Sequence, residues 1–359
     1  MHTQSKFRLL VVRLGAMGDI LHALPAVTAL RQAHPGWIID WVVEPKWRAL
    51  LASDRSSGRD TGCQGAKQPI VDHLYLAATK NWTASPFAGG TRREFLALRR
   101  ALRESRYDAV IDFQGAVRSA VVGRMAGSCR LIGEDRPREW AARWLFTQRV
   151  TTRGAHVIEQ DFELAAAVAG DELKFGLPWL PVDPASEMWA DQLLAGARDR
   201  ALVLVNPGAG WGAKRWPVER YAALAKEFVD RGCCVVVNAG PGEEPLADAI
   251  VGETGGAALA LNSSLEHLIA VTRRATLVIA GDTGPLHLAC ALGKPVVGIY
   301  GPTDPSRNGP FGTRFKVLRH PDSRRDHTRH EAPEAGLLTI QTEDVLRACE
   351  ELLYSEAKR

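Results

Sequence analysis

The fold is decided by the stretch Val11-Val12-Arg13-Leu14-Gly15-Ala16-Met17-Gly18-Asp19-Ile20. It joins an apolar run over residues 7–13, typical of a buried strand, to residues 20–33, whose apolar positions recur at helical spacing. The glycines between them let the backbone approach a ligand at the N-terminus of the helix. A second apolar run follows over residues 38–43. This order of strand, loop, helix and strand predicts a parallel α/β sheet.

The second half of the chain repeats this rhythm. Apolar runs over residues 201–205, 233–238, 275–280 and 295–300 each end at a glycine-containing loop. A proline-bounded stretch over residues 180–184 separates the halves. We therefore predict an α/β protein of two Rossmann-like, doubly wound domains, residues 1–178 and 185–359. Such sheets bind ligands in the crevice at the carboxyl ends of their strands.

Two segments of the first half have an unusual composition. Residues 134–149 are rich in arginine and tryptophan, and their pattern is compatible with a helix. Residues 53–67 are polar and rich in glycine, which is typical of a surface insertion or loop. The first segment can therefore form a helix, and we expect the second to lie at the surface.

The composition excludes several classes of protein. The formal net charge is +4, from 45 basic and 41 acidic residues, which is too small to indicate nucleic-acid binding. No apolar run approaches the ~20 residues of a membrane span, and residues 9–12 are too short a run for an export signal. Six cysteines without a CxxC pair fit a reducing cytoplasm. We expect a cytoplasmic protein whose contact with a membrane is peripheral.

The first candidate for chemistry is Asp19, in the first turn after the glycine loop. An acid at this position interacts favourably with the helix dipole, and it also suits a general base that faces the crevice. The loop holds only Gly15 and Gly18, so it lacks the G-x-G-x-x-G spacing of dinucleotide sites. Glu44, at the end of the next strand, lies where a ribose-binding acid would. Both roles of Asp19 remain open at this point.

The second candidate is the loop Gly281-Asp282-Thr283-Gly284-Pro285-Leu286-His287. Asp282 and Thr283 can cap the helix that follows. The same loop offers backbone N–H groups at a positive helix end, where a diphosphate binds readily. His287 lies one turn into this helix and suits either a structural or a ligand-facing role.

Two charged residues accompany these loops. Lys214 lies in a glycine-containing loop before a helix, where it can reach a phosphate as a mobile cation or simply be exposed. Glu244 follows the strand over residues 233–238 and can accept hydrogen bonds from sugar hydroxyls or serve as an acid at a helix start. Glu243 beside it leaves that choice open.

Basic residues are concentrated in the first half, with Trp82, Trp140 and Trp144 among them. Most charge runs are solvated faces, but arginine interleaved with tryptophan also suits an anionic amphiphile that carries phosphates. The basic residues are Lys80, Arg92, Arg93, Arg118, Arg136, Arg138, Arg143 and Arg149.

Several motifs together resemble the ADP-heptose transferases of glycosyltransferase family 9. They agree in order and spacing over nearly the whole chain: residues 11–26 (VVRLGAMGDILHALPA), 107–115 (YDAVIDFQG), 214–217 (KRWP), 282–287 (DTGPLH) and 300–305 (YGPTDP). Within the family, residues 40–44 and 109–120 look most similar to the members that add the first heptose to the Kdo sugar of the lipopolysaccharide inner core. The chain departs from them at Gly15 and Ala16, often serines there, and at Ala209 and Gly210, often threonines there.

This resemblance implies a GT-B fold, in which two Rossmann-like domains face each other across a cleft and the terminal helix packs back on the first. It implies ADP-L-glycero-β-D-manno-heptose as the donor, an anionic Kdo–lipid A acceptor, and a peripheral place at the cytoplasmic face of the inner membrane. By position, Asp19 matches the catalytic base. The donor would contact Lys214, Glu244, Asp282, Thr283, Gly284 and His287. The acceptor would bind the first domain, where we select Lys80, Arg118 and Arg138.

The resulting hypothesis is an inverting transfer without a cofactor. Asp19 takes the proton of the acceptor hydroxyl, which attacks the anomeric carbon opposite ADP, while Lys214 and the helix after Asp282 stabilise the departing diphosphate. Because no D-x-D triplet is present, we expect no metal. The alternatives are a heptosyltransferase with a second heptose or a protein as acceptor, an NAD-dependent oxidoreductase, and a nucleotide-sugar-binding scaffold.

Overall fold

A computed structural model describes residues 6–53, 69–84, 88–262, 264–323 and 331–354. Of the insertion predicted over residues 53–67, only Ser53 is among the described residues, and residues 54–67 lie outside them. The chain divides into two compact units, Met1–Val182 and Asp183–Arg359. Each unit contains one of the two halves recognised in the sequence, and each is described here by itself.

The first unit is built on a six-stranded sheet in which every neighbouring pair of strands is parallel. Its strands are β1 (Arg8–Val12), β2 (Ile38–Val43), β3 (His73–Leu76), β4 (Ala109–Asp112), β5 (Leu131–Glu134) and β6 (Gln148–Val150). Their order across the sheet is β3-β2-β1-β4-β5-β6. Its helices are α1 (Met17–Ala33), α2 (Thr79–Ala84), α3 (Gly89–Glu104), α4 (Val117–Met125) and α5 (Val157–Ala169). Short 3₁₀ helices occupy Pro45–Leu50 and Trp140–Leu145.

The second unit has the same architecture. Its strands are β7 (Leu202–Asn206), β8 (Cys234–Asn238), β9 (Leu259–Leu261), β10 (Leu277–Gly281), β11 (Val296–Tyr300) and β12 (Phe315–Arg319), all parallel in the order β12-β11-β10-β7-β8-β9. Its helices are α6 (Pro184–Leu193), α7 (Val218–Asp230), α8 (Glu244–Glu253), α9 (Leu265–Arg274), α10 (Gly284–Ala291), α11 (Pro305–Asn308) and α12 (Thr342–Tyr354). Short 3₁₀ helices occupy Ala195–Ala197, Gly212–Lys214 and Leu337–Thr339.

The central strands are buried on both faces, which explains their unbroken apolar runs. All five residues of β7, β8, β10 and β11 are buried. In each sheet the strand order reverses between two central neighbours, β1 with β4 and β7 with β10. The loops that follow these strands diverge at such a point and form a ligand-binding crevice. The predicted α/β, doubly wound fold is confirmed.

Residues 134–149, whose pattern is compatible with a helix, do not form one continuous helix. This segment holds the end of β5, the 3₁₀ helix Trp140–Leu145 and most of β6. The backbone N–H of Leu131 donates to the Thr147 hydroxyl (2.8 Å), and the Thr147 N–H donates to the Leu131 carbonyl (2.9 Å). Gly133 lies so close to the Phe146 ring that a Cβ there would approach it to 2.5 Å. These contacts draw the segment back onto the sheet as a further parallel strand.

The terminal helix α12 packs on α7, on the edge strand β12 and on its neighbour β11, all in its own unit. The Trp216 indole N–H, just before α7, donates to the Ile340 carbonyl at 2.9 Å and fixes the approach to α12. A return of this helix to the first domain stays a prediction. Among the helices that the structure describes, none is both long enough and apolar enough to cross a bilayer.

Candidate active site

Asp19 is held at the start of α1 by contacts on both carboxylate oxygens. Its Oδ2 accepts the backbone N–H of Ala16 at 3.0 Å, as an acid in the first helical turn does, and its Oδ1 lies 3.0 Å from the Arg13 guanidinium. The side chain is still 35% exposed. The structure therefore shows the helix-start role of Asp19, and it leaves the carboxylate accessible for the role of a base.

Arg13 connects this carboxylate to the centre of the sheet. Its side chain is only 8% exposed, and its guanidinium also donates to the carbonyl of Phe113, at the end of β4. The Arg13 carbonyl accepts the Trp41 indole N–H (3.0 Å). Because Arg13 follows β1 and its partners lie on β2, directly after β4 and on α1, it fixes Asp19 at the point where the strand order reverses.

Two glycines allow the loops at this edge to approach their neighbours. A Cβ on Gly15 would lie 2.7 Å from the indole nitrogen of Trp47, and its φ of +155° falls in the range that favours glycine. A Cβ on Gly115, whose φ is +63°, would lie 3.0 Å from the backbone nitrogen of Arg138. The second contact brings the segment around Arg138 next to the loop after β4.

The predicted acceptor residues all lie at the carboxyl edge of the first sheet. The backbone N–H of Lys80 donates to Glu44 just beyond β2 (3.2 Å), while the exposed Lys80 side chain points away from the core. Arg118 is half-buried in the first turn of α4, and Arg138 is exposed after β5. Glu44 also accepts the Thr79 hydroxyl at 2.5 Å, so this buried acid joins β2 to α2.

Two carboxyl groups lie buried behind this edge. Asp112 accepts the backbone N–H groups of Gln114 (2.7 Å) and Gly115 (3.0 Å); burial raises its pKa to about 6, against the effect of these hydrogen bonds. Asp161, on α5, is 3% exposed, and its Oδ2 has no hydrogen-bond partner within the described part of the chain. Burial raises the pKa of Asp161 to about 8, with the Arg13 charge opposing the rise and the Asp19 charge adding to it.

In the second unit, Lys214, Asp282 and His287 form one polar cluster. The Lys214 ammonium lies 2.5 Å from Oδ2 of Asp282 and 5.0 Å from the centre of the Trp211 ring. His287 Nε2 lies 3.3 Å from Oδ1 of Asp282. Burial by itself would raise the pKa of Asp282, but the hydrogen bond from His287 and the Lys214 charge outweigh it and hold that pKa below its usual value. Asp282 is therefore an anion that fixes the Lys214 ammonium beside α10.

The start of α10 has no side-chain cap among the described residues. Thr283 is its N-cap, yet the Thr283 hydroxyl donates to the carbonyl of Gly281 (3.3 Å). Asp282 interacts with Lys214 and His287 instead, so the capping role expected for Asp282 and Thr283 does not occur. The half-buried backbone at Gly284 presents the positive end of the helix, which is the usual arrangement for binding a phosphate.

Glu243 and Glu244 point in different directions at the start of α8. The Glu243 carboxylate accepts the backbone N–H of Gly240 at 3.1 Å and lies directly against Gly208, in the loop after β7. Glu244 is exposed in the first turn. Of the two acids, Glu243 is the one beside the point where the strand order of the second sheet reverses.

Two doubly wound parallel sheets, each with polar loops at its carboxyl edge, are the units of a glycosyltransferase of the GT-B type. The model of glycosyltransferase family 9 (heptosyltransferase) matches residues 95–337, and the chain belongs to this family. It is 30% identical over 350 residues to the lipopolysaccharide heptosyltransferase 1 of Escherichia coli K12, an alignment that covers 94% of this chain and 98% of that protein. Membership excludes the NAD-dependent oxidoreductase that the sequence alone left open.

Solved structures agree with this assignment. The Escherichia coli heptosyltransferase WaaC with ADP superposes with a TM-score of 0.77 at 28% identity, covering 96% of this chain and 100% of that one. The same enzyme with ADP-2-deoxy-2-fluoro heptose gives a TM-score of 0.75 at 27% identity, covering 96% and 99%. The GT-B fold and the glycosyltransferase class predicted from the sequence are confirmed.

Two residues that interact with Asp19, namely Arg13 and Asp161, were not selected as site residues from the sequence. Arg13 was recognised only as part of a family motif, and Asp161 was not recognised at all. A signal for Asp161 exists, because it interrupts the buried stripe of α5 formed by Ile158, Leu164 and Val168. An acid on the apolar side of an amphipathic helix indicates a buried polar group.

Asp161 gives the first testable prediction. A carboxyl group with a pKa near 8 in the folded state and about 3.9 in the unfolded state binds more protons when folded, so its contribution to stability is present at acid pH and is lost as the pH rises towards 8. The side chain in Asp161→Asn stays neutral at every pH. The free energy of unfolding of this variant, relative to the wild type, should therefore rise by about 1 kcal/mol per pH unit between pH 5 and 8. Urea unfolding of both proteins measures this difference, and a constant difference would show that Asp161 is ionised throughout.

Proposed function

We propose that the chain transfers heptose from ADP-L-glycero-β-D-manno-heptose to the Kdo sugar of Kdo2–lipid A, with inversion, at the cytoplasmic face of the inner membrane. The observation that carries the donor half is the cluster of Lys214, Asp282 and His287 at the uncapped start of α10. The acceptor half is supported by the relatives named lipopolysaccharide heptosyltransferase 1 and by the cationic edge of the first sheet.

On the acceptor side, Asp19 acts as the general base. Its partly exposed carboxylate takes the proton of the attacking hydroxyl, and Arg13 keeps it in place during the reaction. Lys80, Arg118 and Arg138 bind the anionic groups of the acceptor, since their side chains lie at the same edge of the sheet.

On the donor side, charge develops on the departing diphosphate. The Lys214 ammonium and the backbone N–H groups at Thr283 and Gly284 stabilise that charge, because they are positioned before the reaction and need little rearrangement. His287 acts through Asp282, which in turn orients Lys214. Glu243 accepts hydrogen bonds from the ribose hydroxyls, in preference to the exposed Glu244.

The proposal as a whole is tested by thermal shift with ADP-heptose, UDP-glucose and NAD, followed by transfer to Kdo2–lipid A. Stabilisation by ADP-heptose together with transfer is the expected result. Stabilisation without transfer to Kdo2–lipid A, but with transfer to an acceptor that already carries a heptose, would contradict the acceptor assignment. Absence of stabilisation by ADP-heptose would contradict the donor.

Asp19→Asn should separate catalysis from binding. The amide still accepts the Ala16 N–H but cannot take a proton, so kcat should fall by about 10²–10⁴-fold while the Kd for ADP-heptose changes little. The matched control is Glu159→Gln, because Glu159 is an exposed acid that accepts the N-cap N–H of α5 in the same way (2.9 Å). Equal losses of activity in the two variants would show that Asp19 serves only the helix.

Lys214→Gln should weaken donor binding. The amide can still donate to Asp282, but it lacks the charge that attracts a diphosphate, so the Kd for ADP-heptose should rise by roughly tenfold to a hundredfold. Titration calorimetry measures the change. Lys226→Gln, which removes an exposed lysine paired with Asp230 on α7, is the control and should bind normally. A wild-type Kd for Lys214→Gln would refute the assignment.

Glu243→Ala and Glu244→Ala form a matched pair. If Glu243 holds the ribose, its removal should weaken ADP binding by about tenfold, the cost of losing charge-assisted hydrogen bonds, whereas Glu244→Ala should leave the Kd within about twofold. Titration with ADP alone isolates the nucleotide. The reverse order of effects would assign the ribose to Glu244.

A further inference from the structure

The positive charge of the chain is concentrated on three segments of the first unit. These are α3 (Gly89–Glu104), α4 (Val117–Met125) and residues 135–145, and we call their outward side the arginine–tryptophan surface. The segments contain the arginines Arg92, Arg93, Arg99, Arg100, Arg103, Arg118, Arg124, Arg136, Arg138 and Arg143, and the acids Glu94, Glu104, Asp135 and Glu139. The net charge of the whole chain is +4, so the remaining residues together are net negative.

The three segments are neighbours in the fold. Helix α3 packs against α4, and α4 packs against the 3₁₀ helix Trp140–Leu145. Their inward residues, among them Leu98, Ala120 and Ala142, belong to one apolar core. The sides that face away from this core therefore adjoin one another.

Large apolar side chains are exposed among the arginines. Trp144 is 71% exposed, Trp140 59%, Leu96 49% and Val121 38%. The Arg143 guanidinium lies over the Trp140 ring, 4.9 Å from its centre. Exposed tryptophans on two turns of one short helix are uncommon on a surface that meets only water, and they indicate a binding surface.

The acids of this surface are already engaged. Glu104 pairs with Arg100 (2.7 Å) and Asp135 pairs with Arg143 (2.9 Å). Glu94 accepts the Trp82 indole N–H (3.0 Å), and Glu139 accepts the Val117 backbone N–H (2.8 Å). The surface therefore attracts anions with a surplus of arginines that acids in the same region do not offset.

We propose that the arginine–tryptophan surface binds the anionic headgroups of a phospholipid bilayer. Indole rings partition to the level of the headgroups, and arginines near an anionic bilayer each add to the attraction. A nucleic acid could also bind the arginines, but binding to a nucleic acid would not account for the exposed Leu96 and Val121 beside them. The proposal rests on the proposed function only for the expectation that the acceptor lies in a membrane.

Sedimentation with phospholipid vesicles tests binding directly. The wild type should bind vesicles of phosphatidylcholine mixed with phosphatidylglycerol much more tightly than phosphatidylcholine alone, and added salt should weaken the binding. Arg92→Gln/Arg99→Gln should weaken it by about 25-fold, which corresponds to about fivefold for each arginine. Trp140→Ala/Trp144→Ala should weaken it by about tenfold or more. The matched control is Met188→Ala/Arg198→Gln, which changes an exposed methionine (64%) and an exposed arginine of the second unit.

The transfer assay separates this inference from the proposed function. With Kdo2–lipid A in vesicles, both test variants should lose kcat/KM, whereas with a deacylated, water-soluble acceptor they should match the wild type. Vesicle binding that is unaffected by either pair of substitutions, equal binding to neutral vesicles, or binding to RNA without binding to vesicles would overturn the inference. Loss of transfer by the wild type with intact vesicle binding would instead contradict only the proposed function.

Discussion

The site depends on one constraint, which is the reversal of strand order in each parallel sheet. Because every strand runs in the same direction, all of its following loops collect at one edge, and only where the order reverses do neighbouring loops move apart. Asp19 follows β1 at such a point, and Lys214 and Asp282 follow β7 and β10 at the other. The residues with candidate chemistry therefore need no special local fold beyond the glycines that let the loops pass closely.

One ion pair at the carboxyl edge of each sheet fixes the charged side chains there. Arg13 is nearly buried and must be paired, and it meets this need through Asp19 and the Phe113 carbonyl. Asp282 is also nearly buried and is paired with Lys214 and His287. Lys214 and Asp282 are both largely buried, and removing one partner of a buried pair costs about 3–5 kcal/mol, so this pair is fixed more firmly than loop residues usually are. A rigid arrangement of charge is what stabilisation of a departing diphosphate requires.

Much of the fold could be predicted from the sequence, because the central strands are apolar runs and the long helices have clear periodicity. The strands that were missed are β3, β5, β6, β9 and β12. None has more than five residues, and all except β5 lie at an edge of their sheet. The pattern of residues 134–149 is compatible with a helix because alanine and arginine favour one, whereas hydrogen bonds to β5 decide the structure of the segment. Of the candidate site, the loops after the apolar strands indicated where Asp19 and Asp282 lie, while the roles of these residues stay predictions. Asp161 was not predictable, because its position beside Arg13 and Asp19 depends on how α5 packs in three dimensions.

The choice between Glu243 and Glu244 cannot be made from sequence spacing alone. Aligning the chain with the family on Lys214, without a gap, selects Glu244 for the ribose. Consecutive residues at the start of a helix, however, point about 100° apart, since a turn holds 3.6 residues. A shift of one residue therefore exchanges a side chain that faces the loop after β7 for one that faces solvent. The Glu243 carboxylate contacts Gly208 and accepts the Gly240 N–H, so Glu243 is the acid that faces the loop after β7. Gly208 is the residue that permits this contact, because any Cβ there would overlap the carboxylate. A side chain at position 208 would therefore displace the Glu243 carboxylate from this position.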